Sequence, residues 1–202
     1  LLRRDVVRIV TPGTLTEDGL LEARRHNHLL AIARVRDEWG SAWVDISTGE
    51  LWTEPVDEAG LSALLARIEP GEVLLAERLA EDPRLLGLFG DCRERLTRSR
   101  DGAFDSSAAA RRLAAFYGVA DVAALGALGR AEIAAAGGLL DYLELTQKGV
   151  LPRLGRPQRV APRSLLQMDP ATRRNLELMR SLAGDPSTSL LATIDRTRTS
   201  AG

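Results

Sequence analysis

Cysteine, lysine and long apolar runs are nearly or wholly missing from this 202-residue chain, and each shortage excludes something. A single cysteine, Cys92, rules out an internal disulfide and fits a reducing cytoplasm. The only lysine, Lys148, is followed by Gly149, so the chain has no Gly-rich phosphate loop ending in Lys and then Ser or Thr. No run of about 18 apolar residues occurs, so no membrane-spanning helix is expected. An excess of one charge is lacking too. Lys+Arg at 27 against Asp+Glu at 28 leaves a net −1, which excludes a basic nucleic-acid footprint over the whole chain. The chain opens Leu-Leu-Arg-Arg without Met and closes Thr-Ser-Ala-Gly, so the expectation is a piece of something longer. What remains is an ordinary globular balance, 45% hydrophobic and 27% charged, with ample material for a core.

The clearest local signal runs from Ser41 to Glu54. Ala42-Trp43-Val44-Asp45-Ile46 and Glu50-Leu51-Trp52-Thr53 flank Ser47-Thr48-Gly49, the pattern of a β-hairpin. His28-Leu29-Leu30-Ala31-Ile32-Ala33 adds a third antiparallel strand, with Trp39-Gly40 near the reversal. Upstream, Val6 to Val10 reads as a short strand closed by Thr11-Pro12-Gly13-Thr14, where Pro then Gly suggests a type II turn with Gly13 at positive φ. Thr16 to Arg25 reads as a helical turn or an ordered loop.

Downstream, Asp57 can cap a helix whose Leu61, Leu64, Leu65 and Ile68 share one face, and Pro70-Gly71 stops it. Glu72 to Ala76 then reads as a buried strand, returning parallel through a right-handed crossover. Asp82-Pro83 starts a further helix with Leu85, Leu86 and Phe89 inward, and Arg93 to Arg98 suits a charge-blunted edge strand. Asp105 or Ser106 caps a helix over 107–117, ended by Gly118, with Ala109, Leu113, Phe116 and Tyr117 inward. The next helix, Ala127 to Gln147, contains Gly137-Gly138. Each Gly there costs about 1 kcal/mol in propensity, so close packing on a neighbour is expected. Pro152, Pro157 and Pro162 mark a linker, followed by a short extended run over 164–168, a helix over 171–182 opened by Asp169-Pro170, and a short helix near Ser189 to Ile194.

Several blocks converge on one family. Arg8-Ile9-Val10-Thr11-Pro12-Gly13-Thr14, Asp45-Ile46-Ser47-Thr48-Gly49-Glu50 and Thr146-Gln147 are three of them. The others are Asp169-Pro170-Ala171-Thr172-Arg173-Arg174-Asn175-Leu176-Glu177-Leu178, Ser189-Leu190-Leu191 and Ile194-Asp195-Arg196-Thr197. In order and over nearly the whole length, the chain resembles the bacterial MutS family of DNA mismatch-repair proteins. The resemblance implies an α/β chain in four parts. Residues 1–16 would leave the mismatch-binding domain, and 17–151 would form a connector domain, a ribonuclease-H-like mixed sheet with flanking helices. Residues 152–163 would be a linker, and 164–202 the α-helical beginning of the core, or lever, domain. One departure, His26-Asn27-His28 where an aromatic more often follows Asn-Asn, touches only a strand entrance.

The family's mismatch-reading Phe-x-Glu is absent, since Phe89, Phe104 and Phe116 lack Glu two residues on. The resemblance therefore implies a non-enzymatic relay that couples DNA binding to an ATP-driven change. ATP, Mg, mismatched DNA and the homodimer contact would belong to other domains of a cytoplasmic, nucleoid-associated parent. It also implies a face for the partner MutL on the helix over 107–117, with Ala108, Arg111, Arg112 and Ala115 as candidates, against the plainer reading of a solvated face.

Other residues carry competing readings. Asp45, with Glu50 and Glu54 nearby, could serve a metal-dependent ribonuclease-H-like nuclease; the plainer role is a buried, turn-stabilising carboxylate. His26-x-His28 could be half a metal site, or a solvated strand end. Arg153, Arg156, Arg159 and Arg163 could touch DNA phosphates, or simply decorate a linker. A structural spacer without a partner face is the third alternative.

Overall fold

The computed structural model describes residues 9–14, 27–148, 151–160, 166 and 168–197. The expected strand over 6–10 falls largely outside these residues, as do the segment 16–25 and most of the run 164–168. In chain order come β1 (His28–Val35), β2 (Glu38–Asp45), β3 (Glu50–Val56), α1 (Leu61–Ile68), β4 (Glu72–Ala76), α2 (Glu77–Ala80) and α3 (Pro83–Leu88). They are followed by β5 (Leu96–Ser99), α4 (Ser106–Tyr117), α5 (Arg130–Thr146), β6 (Gln158–Arg159), α6 (Pro170–Asn175) and α7 (Leu190–Ile194). The six strands form one mixed sheet in the order β5-β4-β1-β2-β3-β6. β1, β2 and β3 are the antiparallel meander; β4 joins β1 in parallel, β5 joins β4 in parallel, and β6 lies parallel to β3. This is the mixed α/β class expected, and it is compatible with the ribonuclease-H-like arrangement.

Helices cover both faces of the sheet, which is why Leu29 to Ala33 is an unbroken apolar run. With side chains alternating at period two, Leu29, Ala31 and Ala33 face one core with Val44, Leu51 and Leu74 under α4 and α5. Leu30 and Ile32 face the other, with Trp39, Trp43, Val73 and Leu75, closed by Leu61, Leu64, Leu65 and Ile68 of α1 and by Leu85 of α3. Small residues dominate the first interface: Ala31, Ala33 and Ala42 meet Ala134, Ala135 and Ala136. The long helix α5 can therefore lie close against the sheet.

That closeness corrects one expectation. The chain reverses at Arg36-Asp37, with Arg36 at φ 58°, while Trp39-Gly40 lie inside β2. A Cβ on Gly40 would strike the backbone of Ala131 and Glu132, so this glycine makes room for α5. The expected close packing at Gly137-Gly138 is present. A Cβ on Gly137 would overlap Ala109 of α4, and one on Gly138 would meet the Phe104 ring at 2.7 Å.

Two other expectations change in detail. Residues Pro12–Thr14 form a 3₁₀ turn, and Gly13 does not take the left-handed φ of a type II turn. Its need for glycine is steric, since a Cβ would lie 2.7 Å from Glu72 Cβ and 2.8 Å from Leu29 Cδ1. The helix expected over 171–182 stops at Asn175, and Glu177 turns left-handed at φ 48°. Leu176, Met179 and Leu182 beyond it are all exposed. Short helices owe most of their stability to a buried face, and this one has none.

Candidate functional site

Three buried carboxylates organise the molecule, and all of them meet α5. Glu72, at the start of β4, is 2% exposed. Its Oε2 accepts from Thr11 Oγ1 at 2.6 Å and from the Gly13 N–H at 3.0 Å. Its Oε1 accepts from Thr97 Oγ1 at 2.7 Å and from the Tyr142 hydroxyl at 2.6 Å. A carboxylate taken out of water needs its lone pairs occupied, and here four donors from three separate segments supply that. Burial, followed by the Glu72 carboxylate beside it, pushes the Tyr142 phenol well above its ordinary range, so Tyr142 stays a donor. The incoming residues 9–14 are thus fixed to the sheet and to α5. The Ile9 N–H adds a bond of 2.8 Å to the Thr146 carbonyl, one of the acceptors that a helix leaves open at its C-terminal end.

The opposite end of α5 holds the outgoing residues. Glu132 is 1% exposed, and its Oε2 accepts from the Gly129 N–H at 2.8 Å, tying down the first turn. Arg159 in β6 meets the same carboxylate with Nε at 3.0 Å from Oε1 and a terminal nitrogen at 3.0 Å from Oε2. That contact raises the guanidinium further above its ordinary value. Val160 N–H reaches the Thr53 carbonyl, Gly155 N–H the Gly49 carbonyl, and Tyr117 donates 2.7 Å to the Gly155 carbonyl. Much of the stretch expected as a linker is therefore strapped across the domain, with Gln158–Arg159 acting as an edge strand.

The third carboxylate, Asp141, binds Arg112 of α4 at 2.9 Å and Arg100 at 2.5 Å. Arg112 also donates to the Gly137 and Ala103 carbonyls. Of the four candidate partner-face residues, the structure brings Ala108, Arg111 and Ala115 to the outer side of α4, with Arg111 and Ala115 exposed and Ala108 half-buried. Arg112 is engaged internally and holds α4 to α5.

Asp45 has the turn role. Its Oδ1 accepts from the Ser47 N–H at 2.9 Å and the Ser47 hydroxyl at 2.5 Å, closing the β2–β3 hairpin. Glu50 lies opposite it in the ladder, whereas Glu54 pairs with Arg67 of α1. No cluster of three His, Cys, Asp or Glu suited to a metal occurs among the described residues. His28 Nδ1 lies 3.2 Å from the Ile68 carbonyl, and His26 is outside the described residues. Arg153 and Arg156 are exposed, Arg159 is committed to Glu132, and Arg163 is outside the described residues. Among those residues no helix is long and apolar enough to cross a membrane.

Sequence reasoning did not find Glu72, Glu132, Asp141 or Tyr142. A signal existed for Glu132, a Glu three residues after the helix-capping Gly129. None existed for Glu72, whose partners lie as far as 70 positions away.

Comparison with known proteins places the chain in a family. Residues 27–155 match the family described as MutS domain II. The whole chain is 52% identical to part of the DNA mismatch repair protein MutS of Dinoroseobacter shibae, covering 23% of that protein. It is 50% identical to the MutS proteins of Ruegeria pomeroyi and Paracoccus denitrificans, again over 100% of the chain and 23% of each relative. The chain thus spans about a quarter of the length of these curated relatives.

Proposed function

The chain belongs to the MutS family, as its domain II over residues 27–155, and from that premise we propose that it acts in DNA mismatch repair as a non-catalytic relay that also docks MutL. ATP with its magnesium, mismatched DNA and the homodimer contact are assigned to other parts of a full protein working on the cytoplasmic nucleoid.

The observation that carries the docking role is the outer face of α4. Arg111 forms no ion pair among the described residues and stands between Ala108 and Ala115, small residues that let a partner approach closely. Arginine's planar, five-donor head suits interfaces. Beneath it, the close approach of Ala109 to Gly137, which leaves no room for a side chain there, and the Arg112–Asp141 pair keep the helix from yielding when a partner binds.

The test is a titration of MutL against the full protein on mismatched duplex, at two salt concentrations. Arg111→Glu should weaken MutL binding about tenfold, or about 1.4 kcal/mol, and more at low salt. Mismatch affinity and ATP turnover should stay unchanged. Equal MutL affinity for wild type and variant returns this face to plain solvation and overturns the docking role.

A further inference from the structure

Helix α5 has one feature that the fold alone does not require: the segments that bring the chain into the domain and take it out are bonded to its two opposite ends. At the C-terminal end, Thr146 accepts from Ile9, and Tyr142 shares the Glu72 carboxylate with Thr11 and Gly13. At the N-terminal end, Glu132 grips Arg159 and the first turn of the helix at once. Between these ends α5 has little freedom to bend. Ala131, Ala134, Ala135, Ala136, Leu139, Leu140 and Leu143 are buried, its two glycines are filled by Ala109 and Phe104, and Asp141 is held by two arginines. Glu132 and Tyr142, ten residues apart, stand about 15 Å apart along the axis.

We infer that α5 is a rigid strut that couples the incoming segment at residues 9–14 to the outgoing segment at residues 158–160. Displacing the incoming segment loosens the grip of Glu72 and Tyr142, shifts α5 as a body, and disturbs the Glu132–Arg159 pair at the far end. Packed interiors pass on such shifts because they are close-packed and resist local compression. Helix α4 rides on α5 through Ala109 and Arg112, so a partner on its outer face biases the same element. The strut is a property of the fold; its use as a signal path rests on the mismatch-repair reading above.

Amide hydrogen exchange on the full protein, free of DNA and nucleotide, tests it. The incoming probes are the amides of Ile9 and Gly13, the outgoing probes those of Gly155 and Val160, and the β1–β2 ladder is the control. Thr11→Val removes one hydroxyl from Glu72 with little change of shape, and Arg159→Ala releases the outgoing end. Thr11→Val should speed exchange at Gly155 and Val160, and Arg159→Ala should speed it at Ile9 and Gly13. Each far-end effect is expected at about fivefold, the low end of intersite coupling, and reciprocity is required by linkage. Gly13→Ala, which drives a methyl into Glu72 and Leu29, should give the larger far-end effect. The strut is overturned if each variant speeds only its own end, or if Thr11→Val and Arg159→Ala speed the control ladder equally. The MutL titration can fail while these exchange effects stand, and the reverse, so the two ideas fail separately.

Discussion

The sheet body, residues 27–148, and the C-terminal stretch, residues 168–197, use the same aliphatic residues to opposite ends. In the body, Leu29, Leu30, Leu74, Leu113, Leu139 and Leu143 are wholly or almost wholly buried. In the C-terminal stretch, Leu176, Met179, Leu182, Leu190, Leu191 and Ile194 are all exposed, Leu182 to 69%. A cleft of about 530 Å³ between this stretch and the body is lined in part by Leu65, Phe89, Leu178 and Met179. Its order comes from local caps. Asp169 accepts from Thr172, Asp185 from Ser187 and Ser189 from the Ala192 N–H, and the first two carboxyls are held below their ordinary range by those donors. Helical sequence signals thus produce helices in both regions, and only burial makes them long and firm.

The difference is sharpest for equal deletions. Leu139→Ala should cost about 3–5 kcal/mol in urea unfolding of the full protein, because it removes a fully buried side chain and leaves a cavity. Leu191→Ala, the same deletion in the C-terminal stretch, should stay within about 0.5 kcal/mol. Equal costs would mean that the C-terminal stretch is buried as deeply as the body.

The next contrast lies within one helix. Arg112→Glu places a carboxylate against Asp141 and strands the Gly137 and Ala103 carbonyls, at an expected cost of about 3 kcal/mol. Arg111→Glu, one residue away and exposed, should change stability by less than about 0.5 kcal/mol. Thermal unfolding of the two variants side by side separates the anchoring arginine from the surface one.

The smallest effect concerns the strap. Tyr117→Phe removes the hydroxyl that donates to Gly155 and should cost about 1 kcal/mol near neutral pH. Burial pushes the Tyr117 phenol up to about 12 from its ordinary 10, so the folded chain holds this proton more tightly than the unfolded one. That contribution is complete below pH 10 and is lost as pH rises from 10 towards 12. The variant should therefore lose less stability across this window than the wild type does, as denaturant titrations at stepped pH would show.

Much of this was legible in the residues. The meander declared itself through alternation and turn chemistry, α1 through its apolar face, and α4 through the Asp105 cap and Gly118. Even the contact made by Gly137 and Gly138 could be inferred, because two glycines inside a helix need a compensating neighbour. The candidate site was less legible. A helical face can be drawn from spacing, but which of two adjacent arginines turns inward depends on where Asp141 and the Gly137 carbonyl come to lie.

The sequence by itself determined the family, the meander and the main helices α1, α4 and α5, because periodicity, capping and turn residues act within a few positions of themselves. Only the tertiary structure decided the Glu72 cluster, the Glu132–Arg159 pair, the room that Gly40 makes for α5 and the early end of α6. The physical reason is common to all four. Burying a carboxylate requires donors from whichever segments arrive around it, and whether a helix continues depends on which surface arrives to cover it. Thr11, Gly13, Thr97 and Tyr142 are separated from Glu72 by 25 to 70 positions, and only folding brings them within 3.0 Å of one side chain.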